Sequence, residues 1–174
     1  MMHNKAELKF ICPFSDNEEL IKDGDYFLSS DGNRKYEIKG NIPRFVPESN
    51  YSDSFGFQWN KFRKTQLDSF SGTKISENRL FQATNFDKKK LNGDLVLEAG
   101  SGAGRFTEIL VKQKINLYSF DYSSAVDANF LNNGDSANLT LFQGDIYNVP
   151  FPDLTFDHVI CLGVLQHTPD PKGA

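Results

Sequence analysis

Cysteine is scarce in this sequence, which has 2 cysteines and 3 histidines in 174 residues. Cys12 and Cys161 lie far apart, and no C-x-x-C or H-x-x-x-H spacing occurs. Such a set builds neither a disulfide framework nor a recognisable metal cluster. We therefore predict that the protein binds no metal ion.

Long apolar runs are also missing. No stretch approaches the roughly 20 residues that span a bilayer, and the first residues, MMHNKAELKF, have no apolar signal-peptide core. Basic residues are not in excess either, since 19 Lys and Arg stand against 23 Asp and Glu. These absences predict a cytoplasmic protein that neither enters a membrane nor binds nucleic acid generally.

What is present indicates a packed domain. The chain is 39% hydrophobic and includes 16 Phe, which predicts a substantial core. Residues 8–46 contain short apolar runs and a turn sequence, DGN at 31–33, that predict a small β unit. Residues 51–92 are rich in aromatics and predict a helical lid or adaptor, with Ile75, Leu80, Ala83 and Phe86 on one buried face. Trp59 fits either core packing, which we favour, or a substrate pocket.

A regular alternation begins at Asp94. The apolar runs LVLEA, INLYSFD, LTLFQ and FDHVICLG alternate with two stretches of helical pattern, GRFTEILVKQ and SAVDANFLNN. Strands that alternate with helices predict an α/β fold with a parallel sheet of Rossmann-like type. Ligands of such sheets bind beyond the carboxyl ends of the strands, so those ends are the first place to look for a site.

A glycine turn follows the first of these strands. Glu98, Gly100, Gly102 and Gly104 form the pattern E-x-G-x-G-x-G. The dinucleotide fingerprint G-x-G-x-x-G requires a third glycine where this chain has Arg105, and no G-K-[ST] follows as in a phosphate-binding Walker loop. The turn therefore favours S-adenosylmethionine (SAM) over a nicotinamide dinucleotide.

Acidic residues end the next two strands. Asp121 follows Gly100 by about 20 residues, the spacing at which an acid reaches a ribose. NAD-binding proteins share that feature, so it does not separate the two ligands. Asp145 lies in the sequence GDIYNVPF, and the fourth strand leads into VLQHTPDP.

In these four motifs and their order the chain resembles a class I SAM-dependent methyltransferase of the methyltransferase type 11 group. The resemblance covers residues 94–171 and implies a Rossmann-like sheet with SAM as the cofactor. It implies a set of cofactor-binding residues at the strand ends: Glu98, Ala99, Gly100, Ser101, Gly102, Gly104, Arg105, Asp121, Tyr122, Gly144, Asp145, Ile146, Leu162, Gly163 and His167.

The resemblance also implies roles for some of these residues. Glu98 faces the cationic end of SAM, Asp121 accepts hydrogen bonds from the ribose hydroxyls, and Asp145 accepts one from the adenine amino group. Residues 162–163 pass beside the methionyl part. His167 points toward the methyl-transfer region, either as a general base or as a residue that lines the cofactor and orders its loop, so no catalytic residue is assigned.

The N-terminal β unit resembles the zinc-ribbon-like element that precedes many class I methyltransferase domains. Only CP at 12–13 and GNIPRF at 40–45 match, and Ser15 stands where the second cysteine of the first pair would be. We expect a packing or interaction module without metal. The predicted organisation is a β element at 1–47, a helical lid or adaptor at 48–92 and the SAM-binding domain at 93–174.

The resembled family has a seven-stranded sheet, and this sequence ends after the fourth strand. We therefore expect a truncated domain whose fourth strand is a sheet edge and self-associates through residues 156–163. The predicted function is methyl transfer from SAM to a small-molecule acceptor. Two alternatives remain, a noncatalytic SAM-fold binding or partner module and a less favoured NAD-dependent oxidoreductase.

Overall fold

The structure, a computed structural model, describes residues 8–15, 17–47, 53–84, 86 and 91–173, without the side chains of residues 53 and 55. The strands are β1 (Ile21–Asp23), β2 (Tyr26–Leu28), β3 (Lys35–Lys39), β4 (Ile42–Pro43), β5 (Asn92–Ala99), β6 (Lys114–Asp121), β7 (Leu139–Gln143) and β8 (His158–Ile160). The helices are α1 (Asp53–Lys61), α2 (Asp68–Ser71), α3 (Ile75–Thr84), α4 (Thr107–Leu110) and α5 (Ala125–Asn133), and a 3₁₀ turn spans Leu165–His167.

A parallel sheet forms the centre of the molecule. Its strand order is β7-β6-β5-β8, and every neighbouring pair is parallel. The apolar runs of β5 and β6 are covered on both faces, as Val96, Leu97, Leu117 and Phe120 show by their burial. The predicted α/β class with a Rossmann-like parallel sheet is confirmed.

The helices of this domain are shorter than the sequence pattern predicts. The stretch GRFTEILVKQ forms only the single turn α4, because the chain bends through hydrogen bonds from Lys112 N to Ile109 O and from Gln113 N to Leu110 O before β6 begins. By contrast, α5 covers most of its predicted stretch and buries Ala125, Val126 and Ala128 against the sheet.

The N-terminal unit is an antiparallel sheet of order β1-β2-β3-β4. The predicted DGN turn lies between β2 and β3, but the run LKFICP forms only an isolated bridge, from Ile11 to Glu19. The unit is a separate sheet that meets the edge strand β7 through one isolated parallel bridge, from Arg44 to Gln143, where Phe45 N donates to Gln143 O at 2.8 Å. Phe10 and Phe45 pack with Phe142 of β7, and the hydrophobic core is therefore common to the unit and the main sheet.

The predicted buried face of α3 is partly wrong. Leu80 is fully buried, but Ile75 is 63% exposed and Ala83 is also exposed. Ser76 is buried instead, because its side chain hydrogen-bonds inward to the main chain of Gln66 and to Arg105. The buried face of this helix therefore includes a polar contact, which hydrophobic periodicity cannot show.

The other edge of the described sheet is β8, where Val159 is 63% exposed. Within the described part of the chain, no helix is long and apolar enough to cross a membrane.

Candidate functional site

The glycine turn lies directly after β5. Gly100 N and Ser101 N both donate to Phe120 O, at 2.8 and 2.9 Å, so the turn is fastened to the end of β6. Gly104 has φ +89°, and a Cβ there would lie 2.3 Å from Asn129 Oδ1. Gly102 has φ +53°, and a Cβ there would meet nothing closer than Trp59 Nε1 at 3.8 Å. Gly104 is thus required by packing, whereas Gly102 leaves open space for a ligand.

Asp121 ends β6 beside this turn. Its Oδ2 accepts a hydrogen bond from Gly102 N at 2.8 Å, and its Oδ1 accepts two from Ser123, N at 2.8 Å and Oγ at 2.6 Å. Burial raises the pKa of Asp121, against the opposing effect of these three bonds. The carboxylate therefore holds the backbone of the turn while staying partly accessible.

Glu98 lies beneath the turn and is 2% exposed. Its Oε2 accepts hydrogen bonds from Thr107 Oγ1 at 2.5 Å and Ser119 Oγ at 2.7 Å, and Oε1 has no partner among the described residues. Burial raises the pKa of Glu98 to about 7, despite those two bonds. This carboxyl is thus a buried group that titrates near neutral pH.

A cavity of about 380 Å³ opens over the carboxyl ends of the strands. That volume falls within the roughly 300 to 1,000 Å³ of small-molecule sites. The structure brings eleven of the predicted cofactor residues to its wall: Gly100, Ser101, Gly102, Arg105, Asp121, Tyr122, Asp145, Ile146, Leu162, Gly163 and His167. The other four, Glu98, Ala99, Gly104 and Gly144, do not line it, and Glu98 in particular is buried in the hydrogen-bond network below.

The helical segment covers the remaining side of the cavity. Trp59, Arg63, Gln66, Leu67 and Arg79 all line it. Trp59 therefore faces the cavity, contrary to the core packing that we favoured from the sequence. Sequence reasoning missed the other four, since the only available signal was that charged and aromatic residues cluster in a segment with weak periodicity.

The wall of the cavity fits SAM chemically. Acidic groups stand at the ends of adjacent strands, at Asp121 and Asp145, where hydroxyl and amino donors would find acceptors. The bare backbone at Gly102 lets a ligand approach the main chain closely. Across the part of the chain that the structure covers, no group of three or more His, Cys, Asp or Glu is arranged to hold a metal ion.

Comparison with known proteins agrees with this fold. Residues 97–174 match the protein family described as "Methyltransferase domain". Residues 97–174 are thus similar to a methyltransferase domain, and the solved structures described next show that the fold is that of SAM-dependent methyltransferases.

Three solved structures resemble the chain in fold. One, from Methanococcus maripaludis and assigned as a SAM-dependent methyltransferase, has a TM-score of 0.52 and 18% identity over 72% of this chain and 56% of its own. A second, a complex of the Haloferax volcanii Trm112 methyltransferase activator and a methyltransferase, has a TM-score of 0.51 and 20% identity, over 72% of this chain and 52% of that chain. The third, a SAM-dependent methyltransferase from Aquifex aeolicus, has a TM-score of 0.50 and 20% identity, over 70% of this chain and 62% of its own.

The chain thus spans between 52% and 62% of the length of these three structures. Among curated proteins, none matches the sequence.

Proposed function

We propose that this protein binds SAM in the cavity and transfers its methyl group to a small-molecule acceptor. The observation that carries the proposal is the contact between the Asp121 carboxylate and Gly102 N at 2.8 Å. This hydrogen bond holds the glycine turn, which has no side chain at Gly102, next to a carboxylate acceptor at the cavity wall. A dinucleotide would instead call for a glycine where Arg105 stands.

SAM supplies a methyl carbon activated by the adjacent sulfonium. Bound in the cavity, SAM would give that methyl group to the acceptor by in-line displacement, with S-adenosylhomocysteine as the neutral thioether leaving group. The protein's own contribution is to align the two reactants and exclude water, which can lower a barrier by roughly 7 to 11 kcal/mol. We assign the covering role to Trp59, Gln66 and Leu67, which line the same cavity as the glycine turn.

His167 lines the cavity within the 3₁₀ turn and is exposed. It is the histidine that we propose as a general base if the acceptor carries a proton to lose, as a hydroxyl does. For an acceptor with a free lone pair no base is needed, and His167 then serves to line the cofactor and order its loop.

Titration calorimetry with SAM, S-adenosylhomocysteine and NAD tests the proposal directly. We expect micromolar binding of the first two and none of NAD. Binding of NAD alone would favour the oxidoreductase alternative. Binding of S-adenosylhomocysteine without turnover on a broad acceptor panel would favour a noncatalytic SAM-fold module.

Asp121→Ala is expected to weaken S-adenosylhomocysteine binding by about 1.5 to 3 kcal/mol, because the ribose loses charge-assisted hydrogen bonds. The loss also releases Gly102 N from its acceptor. Calorimetry gives the affinity, and Asp135→Ala, which removes an exposed acid beyond α5, is the matched control. Equal affinities of Asp121→Ala and wild type would refute the ribose assignment.

We also propose that the exposed β8 edge supports self-association of the 174-residue chain. An apolar edge with unpaired backbone groups pairs readily with another strand. Val159→Lys is expected to shift sedimentation toward the monomer, because a charge at an edge opposes pairing. A wild-type chain that sediments as a monomer at every concentration tested would end this proposal.

A further inference from the structure

Two arginines from different parts of the chain line the same cavity. Arg105 ends the glycine turn, and its Nε donates to Ser76 Oγ of α3 at 2.8 Å, which fixes its position. Arg79 is on the same helix, and its Nη2 lies 3.9 Å from the point that a Cβ on Gly163 would occupy. Arg79 lies outside the region that matches the methyltransferase family.

Neither guanidinium has a carboxylate partner in the part of the chain that the structure describes. Among the described residues no acid lies within ion-pairing distance of Arg79 or Arg105. Asp68 acts on Arg105 electrostatically, but its two oxygens accept Ser76 N and Glu77 N at the start of α3. Burial, and then the charge of Arg79, lower the pKa of Arg105. Two like charges held beside one cavity favour a bound anion.

We infer that Arg79 and Arg105 form a subsite that binds an oxyanion, a carboxylate or a phosphate, of a ligand in the cavity. The inference rests on the proposed function, since it concerns the same site. Arginine suits this role because its planar fork of donors matches the geometry of such groups. Two sources present this chemistry: the methionyl carboxylate of the cofactor and an anionic group on the acceptor.

The first experiment compares two ligands that differ in the amino-acid part. S-adenosylhomocysteine and 5′-methylthioadenosine, which lacks the carboxylate, are titrated into wild type, Arg79→Gln and Lys64→Gln. Arg79 is exposed, so its substitution is not expected to disturb folding, and Lys64 is an exposed cation outside the cavity. A loss of about 10- to 100-fold for S-adenosylhomocysteine in Arg79→Gln alone, with methylthioadenosine unchanged, supports the subsite and assigns it to the cofactor.

The second experiment titrates inorganic phosphate into each protein already saturated with S-adenosylhomocysteine. Phosphate binding that is present in wild type and Lys64→Gln but lost in Arg79→Gln supports the subsite and assigns it to the acceptor. Arg79→Lys should retain part of the affinity that Arg79→Gln loses, for S-adenosylhomocysteine or for phosphate, since lysine keeps the positive charge but not the planar set of donors. If Arg79→Gln equals wild type for all three ligands, the inference is wrong. A wild type that binds neither adenosyl ligand would instead contradict the proposed function.

Discussion

Gly102→Val is expected to abolish measurable binding of S-adenosylhomocysteine, a loss of more than about 100-fold. The valine side chain would occupy the open space between the turn and Trp59, where the ligand must approach the backbone. It would also disturb the hydrogen bond from Gly102 N to Asp121, on which the proposed ribose contact depends. Titration calorimetry at a protein concentration that suits the wild-type affinity measures the effect.

Backbone strain must be separated from this steric effect, because Gly102 has φ +53° and a residue with a Cβ there costs about 1 to 3 kcal/mol. Gly32→Val is the matched control. Gly32 has φ +70°, its Cβ would meet nothing within 4 Å, and it lies in the turn between β2 and β3. Both variants should lose stability, while only Gly102→Val loses ligand binding. Retained affinity in Gly102→Val would refute the role of the glycine turn.

The sequence was sufficient to predict the sheet and the positions of the strand ends. Apolar runs with acids or glycines at their ends define a parallel sheet and its binding edge through local pattern alone. Gly102 and Asp121 could be predicted beside one cavity in this way, Asp145 was added by the family resemblance, and the structure brings all three to the cavity wall.

Features that depend on long-range polar contacts could not be predicted in this way. Arg105 Nε donates to Ser76 Oγ across 29 positions of the chain, and Arg79 of the same helix α3 lines the cavity. No periodicity encodes such a contact. Likewise, the motif that contains Glu98 does not reveal that its side chain points beneath the turn, because alternation along β5 gives the face of the sheet but not what covers it.

The buried carboxyl of Glu98 should make stability depend on pH between about 4.5, its ordinary pKa, and about 7, its pKa in the folded protein. In that window the folded state holds the proton more tightly than the unfolded state, so the free energy of unfolding falls as pH rises. The fall is complete above pH 7 and absent below pH 4.5. A shift of this size corresponds to about 3 kcal/mol.

Glu98→Gln removes this titration while it keeps an oxygen that accepts from Thr107 and Ser119. Urea unfolding at pH 5 and pH 8 is therefore expected to give a stability difference that is larger in wild type by up to about 3 kcal/mol. Asp121, whose pKa burial also raises, is present in both proteins, so its contribution cancels in the comparison. The unpaired amide of the glutamine costs the same at both pH values and cancels as well. If both proteins lose the same stability between pH 5 and pH 8, the Glu98 carboxyl does not titrate in that window, and the raised pKa is wrong.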